Sequence, residues 1–235
     1  MSTVGGPKQV NDNLIFSLDA ANPKSYPGTG TTCSDLSGNG NDGILTNGPT
    51  FNSSNDGIFN LDGANDYLSI TMSPTISFTN TDNFTMELWV IKTGTPASGN
   101  VNGLFLTQGT GRFGMDYYFG ANQLRAGIRN TANGQYTTTF ATTLEGWHHC
   151  VFTYETENTS GMKLYTQGIL RSSRTTVGLS DFTSTGQFRI GATYALGGTI
   201  KYLIGDISNA RMYNRALTSQ EVLQNYNATK SRFGL

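Results

Sequence analysis

Charge is scarce in this chain. Only 13% of its 235 residues are Asp, Glu, Lys or Arg, about half the usual share. The formal net charge is −1, so there is no strong field to gather nucleic acid or an anionic membrane surface. Cysteine is nearly absent. Cys33 and Cys150 make no disulfide framework, and although one bridge between them is allowed, nothing in their spacing asks for it. No apolar run approaches the ~20 residues of a membrane span. The opening stretch MSTVGGPKQVNDN has neither the basic start nor the apolar core of a secretory signal, which points to a protein made in a cytoplasm.

What fills the space is Gly, Ser, Thr and Asn, with 29 glycines marking many turns. Between them lie short stretches that alternate apolar and polar residues: LIFSLDA, FTMELWVIK, QLRAGIR, GWHHCVFTYE and KYLIGDISNARMYN among others. Period-two patterning at short intervals predicts a mostly antiparallel all-β sandwich or barrel. Residues 1–13 are expected to form a flexible N-terminal arm, and residues 14–235 a single domain. A helix is predicted near the C-terminus. Thr218 and Glu221 have capping-box spacing, and Val222, Leu223 and Tyr226 fall on one face.

The two histidines stand side by side, in GWHHCVFTYE, next to Cys150. His and Cys are common metal ligands and catalytic partners. In a strand, however, adjacent side chains point to opposite faces. Trp147, His149, Val151 and Thr153 then share one face, and His148, Cys150, Phe152 and Tyr154 the other. The histidines cannot chelate one ion together, and Cys150 is parted from His149 by the sheet. Trp147 is expected in the core. Glu87 stands alone in its strand, and Glu155 and Glu157 lead into a turn, so no constellation of catalytic residues emerges. The protein is expected not to be an enzyme.

The ordered set DLSGNGNDG, NLDGANDYLSI, FTMELWVI, GWHHCVFTYE with MKLYTQG, and IGDISNARMYNRALTSQEV resembles the laminin-G-like and pentraxin-like jelly rolls. The resemblance covers the chain from about Leu14 to Tyr226. It implies a two-sheet antiparallel jelly-roll sandwich of the concanavalin-A-like type with a short C-terminal helix. The glucanases of this architecture imply a strand-borne set of acidic residues that this chain lacks. The pentraxins imply calcium ligands after the strand FRIGA, where Gly191, Ala192, Thr193 and Tyr194 carry no carboxylate. They also imply a disulfide partner for Cys150 near Glu87, where there is no cysteine. Cys150 is therefore expected to be a free, buried thiol.

Two candidate sites remain. Asp35, Ser37 and Asn39, with Gly40 behind them, have the alternating oxygens that open many calcium loops, although position twelve is Thr46 and not Glu. They also suit an Asx-rich turn. They are the one candidate for a structural calcium, and no other cofactor is expected. Tyr117, Tyr118, Asn122 and Gln123, with Arg112 and Arg125 nearby, are the candidate glycan-binding residues. Within the fold family, the wording at both ends of the chain resembles virion proteins of tailed bacteriophages. That resemblance implies a structural accessory protein decorating the head or forming part of the tail or fibre. Capsid or tail subunits would be its partners, host-surface polysaccharide a further contact, and the virion its place. The alternative is a carbohydrate-binding adhesion module not tied to a virion. Neither nucleic acid nor membrane is expected as a partner.

Overall fold

The computed structural model describes residues 7–95, 101–108, 111–130, 134–179, 182–183, 186–194 and 200–235. The strands β1 (Leu14–Asp19), β2 (Thr32–Cys33), β3 (Gly43–Thr46) and β4 (Thr50–Asn52) open it. There follow β5 (Ile58–Asp62), β6 (Tyr67–Ile70), β7 (Phe84–Lys92), β8 (Val101–Thr107), β9 (Arg112–Tyr118), β10 (Gln123–Arg129) and β11 (Gln135–Ala141). The second half carries β12 (His148–Tyr154), β13 (Met162–Thr166), β14 (Ile169–Arg174), β15 (Phe188–Ile190), β16 (Ala192–Tyr194), β17 (Ile200–Tyr202) and β18 (Ile204–Tyr213). One helix, α1 (Ser219–Thr229), closes the chain and runs into a short 3-10 turn.

The strands form two antiparallel sheets. The first has the order β14-β13-β12-β7-β18-β5-β4, with β1 also on β18, and the second β11-β10-β9-β8-β15-β6-β3-β2. A small two-stranded sheet, β16-β17, is separate in its pairing and packs beside β8. This is the two-sheet jelly-roll sandwich with one short C-terminal helix that the sequence predicts. β18 serves two neighbours because it is long: its first half pairs with β5 and its second with β1. A bulge between Ile207 and Ala210, where it pairs with β7, separates the two halves.

The main core lies between the sheets. Phe84 is its hub, with Phe113 at 4.7 Å and Tyr154 at 5.1 Å between ring centroids. Cys150 is buried there as a free thiol, and so is Cys33. Burial pushes the Cys150 thiol far above its ordinary pKa, so it is an inert filler.

A second, smaller core covers the other face of the first sheet. Val10, Val151, Tyr165, Tyr213, Leu217 and Val222 build it. It explains why β7 is buried at every position from Phe84 to Val90. Thr218 caps α1 through the expected capping box with Glu221. The helix buries Val222, Asn225 and Thr229, whereas Leu223 is 43% exposed. Two further expectations are corrected here. The fully buried tryptophan is Trp89, and Trp147 is only half-buried, because β12 begins one residue later at His148. Of the expected flexible arm, residues 1–6 lie outside the described residues. The part that follows is docked: Val10 is buried, its N–H donates to Asn225 Oδ1 at 2.7 Å, and its carbonyl accepts from the Tyr213 hydroxyl at 3.0 Å. Burying a backbone pair requires such partners.

Candidate functional site

The histidines do point to opposite sides of the sheet. His148 is half-buried beside the Gly146 carbonyl, 3.0 Å from its Nδ1. His149 is fully buried under α1, with Nε2 3.0 Å from Glu87 Oε1. That contact is an ion-pair approach without the alignment of a good hydrogen bond. The other oxygen, Oε2, accepts from Asn225 Nδ2 at 2.7 Å. Asn225 Nδ2 also donates to the Tyr213 hydroxyl at 3.0 Å, and Arg211 donates to the same oxygen at 3.1 Å. Burial pushes the Glu87 carboxyl up, but the neighbouring His149 and Arg211 charges and the Asn225 hydrogen bond outweigh it. They hold the group below the usual carboxylate range. This cluster is closed to solvent and ties β7, β12, β18, α1 and the N-terminal segment together. It is a structural rivet.

The loop at Asp35 is equally self-contained. Asp35 Oδ1 accepts from the Ser17 and Ser37 N–H groups, each at 2.9 Å. Oδ2 accepts from Ser37 Oγ at 2.7 Å and the Asn41 N–H at 3.0 Å. Asn39 turns its amide to Ser37 Oγ at 3.0 Å and to the Ile15 carbonyl at 3.3 Å. A cation would have to displace these donors. The Asx turn accounts for all three residues.

The second sheet presents a different surface. β9 and β10 alternate strictly between buried and half-buried positions. Phe113, Met115, Tyr117, Leu124, Ala126 and Ile128 face the core. Arg112, Gly114, Asp116 and Tyr118 on β9, and Gln123, Arg125, Gly127 and Arg129 on β10, face outward. Register places Arg112 opposite Arg129, Gly114 opposite Gly127, and Asp116 opposite Arg125. The glycine pair forms the floor of a hollow of about 390 Å³. A Cβ on Gly114 would run into the Phe105 carbonyl, and one on Gly127 into that of Tyr136. The floor is therefore bare backbone. Gln135 and Thr137 of β11 form one wall, and Val101, Leu106 and Thr193 form the other. At one end Arg125 holds Asp116 with two hydrogen bonds, at 2.7 and 2.9 Å, and lies 5.0 Å over the Tyr118 ring.

Of the four glycan candidates, only Tyr118 lines this hollow. Tyr117 is fully buried, and its hydroxyl donates to the Thr142 carbonyl at 2.9 Å and to Asn122 Oδ1 at 3.1 Å. Asn122 is the left-handed residue of the β9-β10 turn, with φ of 48°. Gln123 pairs across from Tyr118, half-buried. Arg129, Gly114, Gly127, Gln135 and Thr137 are the residues the candidate set missed. The signal for the first three lies in RFGMDYY and QLRAGIR, read at period two.

The match to known families covers most of this architecture. Residues 62–223 match the family described as the Concanavalin A-like lectin/glucanases superfamily, in its laminin-G group; the chain belongs to it. No curated protein matches the chain. Among solved structures, the binding domain of botulinum neurotoxin serotype G superposes with a TM-score of 0.72 at 16% identity, over 91% of this chain and 50% of that one. The receptor-binding domain of botulinum neurotoxin D gives 0.71 at 15%, over 92% and 52%. The binding domain of Paraclostridial Mosquitocidal Protein 1 gives 0.71 at 17%, over 94% and 53%. At these identities the fold is what is shared, and the chain spans about half the length of the structures it matches.

These findings overturn the virion reading. The likeness is to toxin binding domains and not to phage structural proteins. The head-decoration or tail role, the capsid and tail partners, and the placement on a particle assembled in a host cytoplasm fall with it. The reason is visible in the fold. The wording that carried the phage resemblance, Leu14 to Phe51 and Met212 to Phe233, is β1 to β4 with their loops, and the end of β18 with α1 and the turn after it. These segments supply strands of both sheets and the closing helix, and they report the fold, not the body it is attached to. The solved structures it superposes on are described as binding domains. Among the described residues no group of three or more His, Cys, Asp or Glu could hold a metal ion.

Proposed function

We propose that this chain is a carbohydrate-binding, receptor-recognition module, working as one unit over residues 14–235, and that the glycine-floored groove on β8–β11 is its site. The observation that carries this is the outward row on β9 and β10. It sets planar hydrogen-bonding groups around a hollow of about 390 Å³ with a floor no side chain can fill. Sugar hydroxyls need several donors and acceptors held at fixed positions, and sites built on strands hold them better than loops do. Gln135, Thr137, the Arg125–Asp116 pair and the half-buried Tyr118 supply them. Asp35, Ser37 and Asn39 have no part in this reading.

Filling the hollow tests it. Thr137 is half-buried and faces the groove from β11. Thr137→Trp places a β-compatible side chain over the glycine floor. Affinity for a bound oligosaccharide, found by glycan array and measured by calorimetry, should fall more than tenfold. Melting should shift by no more than about 2 °C, as for a surface change of about 0.5 kcal/mol. Undiminished glycan binding by the Trp variant would place the site elsewhere.

A further inference from the structure

We infer that a second hollow, on the other sheet between β1 and β18, holds one ring of a free neutral sugar, with Asn209 as the side chain that grips it. The site is separate from the β8–β11 groove, and neither needs the other.

β1 and β18 run antiparallel, with Ser17 opposite Arg211 and Asp19 opposite Asn209. Phe16, Leu18, Ala210 and Met212, which alternate with these four, belong to the main core, so the four face the other way. There they line a hollow of about 370 Å³, at the lower end of the range for small-molecule pockets. Asn209 is 4% exposed, and among the described residues neither its Nδ2 nor its Oδ1 has a hydrogen-bond partner. A buried carboxamide left in that state costs stability. β18 bulges on its β7 side just here, the kind of irregularity that re-aims a side chain.

The charges beside Asn209 are already engaged. Arg211 donates to the Val10 carbonyl at 3.2 Å, to the Tyr213 hydroxyl at 3.1 Å and to Asn11 Oδ1 at 3.4 Å. Asp19 Oδ1 accepts from the Ala21 N–H at 3.0 Å and from Arg232 Nη1 at 3.1 Å. An ion of either sign would have to break these pairs. A peptide strand finds no edge to join, because the Ser17 carbonyl accepts from the Leu36 N–H at 2.8 Å and the Ser17 N–H donates to Asp35 Oδ1 at 2.9 Å. A neutral ligand fits what is left. The Asn209 amide offers a donor and an acceptor side by side. Two hydroxyls on neighbouring ring carbons, each able to donate and accept, meet both at once. Gln9 and Asn22 bring two more amides, and the half-buried Leu14 and Leu36 bring apolar walls for the C–H faces of a ring. The N-terminal segment at Gln9 and the loop at Leu36 bound the hollow, so it takes a single ring, and a chain of sugars stays with the groove.

The test is a titration of the whole chain with glucose, galactose, mannose and glucuronate, followed by backbone amide shifts. At least one neutral sugar should give saturable changes at Ser17, Leu36 and Asn209, with Gly114 and Gly127 unmoved. Glucuronate should bind no more tightly than glucose. Asn209→Leu, close in shape but apolar, should weaken that binding about tenfold or more, the loss of roughly one hydrogen bond to a buried amide. Without sugar the same variant should melt at or above the parent, because an unpartnered buried amide is gone. Shifts at Gly114 and Gly127 alone would overturn the inference and leave the groove reading standing. Shifts at neither place would overturn it too, as would tighter binding of glucuronate. An Asn209→Leu protein that melts well below its parent, or fails to fold, while no sugar moves the parent's Asn209 amide would show that this side chain serves the fold through water and not a ligand.

Discussion

Glu87→Ala should destabilise the protein by about 3–5 kcal/mol, the range for breaking a buried charge pair by removing one partner. In a chain of this size that lowers the melting temperature by about 10 °C or more. Glu87 is fully buried. It accepts from Asn225 at 2.7 Å and faces His149 at 3.0 Å. Its loss leaves His149 and the Asn225 amide facing an apolar void under α1. Asn225 is also what holds the Val10 N–H, so the N-terminal segment should loosen together with the helix. Hydrogen exchange at Val10 should quicken in the variant. The same group gives the protein an acid limit. Its carboxyl pKa is held below the unfolded value, so its contribution is complete above the unfolded carboxylate pKa of about 4.3. That contribution is lost as pH falls through the lowered folded value. Glu87→Gln should flatten the stability curve below about pH 4. A Glu87→Ala protein that melts with its parent would show that the cluster is not what fastens the helix.

Trp89→Ala should cost about 3–5 kcal/mol, as large buried aromatics do. Trp147→Ala should cost markedly less. Trp89 is fully buried. It stacks on Phe233 at 4.0 Å and lies 5.9 Å from Tyr226, and its indole N–H donates to Thr229 Oγ1 at 2.9 Å. It anchors both α1 and the C-terminal turn. Trp147 is half-buried and has one tilted contact, with Phe233 at 4.7 Å. Urea titration of the two variants gives the comparison directly. Equal losses would mean that the second layer is fastened by Phe233 and not by Trp89.

The sandwich was legible because alternation in FTMELWVIK, GWHHCVFTYE and QLRAGIR is a local signal, and the capping box at Thr218 and Glu221 is another. The outer layer was not. Nothing in a strand's own sequence says that its second face is covered. Glu87 and His149 look like solvent-facing residues until α1 lies over them, and Asn225 and Thr229 look polar and exposed on a helix whose buried stripe they form. Leu223 misled for the same reason in reverse. At the candidate site, adjacency was weighed where register was needed. Alternation parts Tyr117 from Tyr118, and the structure makes Tyr117 the core residue of the two. The pairing of Arg112 with Arg129, 17 positions apart, exists only once β9 and β10 are aligned. Glycine at positions 114 and 127 carries no signal of its own inside a strand, yet in the sheet it is the floor of the hollow. The phage resemblance failed because it was read from Leu14 to Phe51 and Met212 to Phe233, segments that build the fold itself.

The most direct measurement is a map of backbone amide shifts while the chain is titrated with an array-selected oligosaccharide. The account predicts saturable changes confined to β8–β11 and Thr193, centred on Gly114 and Gly127, with the Asp35 loop and α1 silent. Changes centred on the Asp35 loop, or on α1 and the edge strand β14, with Gly114 and Gly127 unmoved, would contradict it.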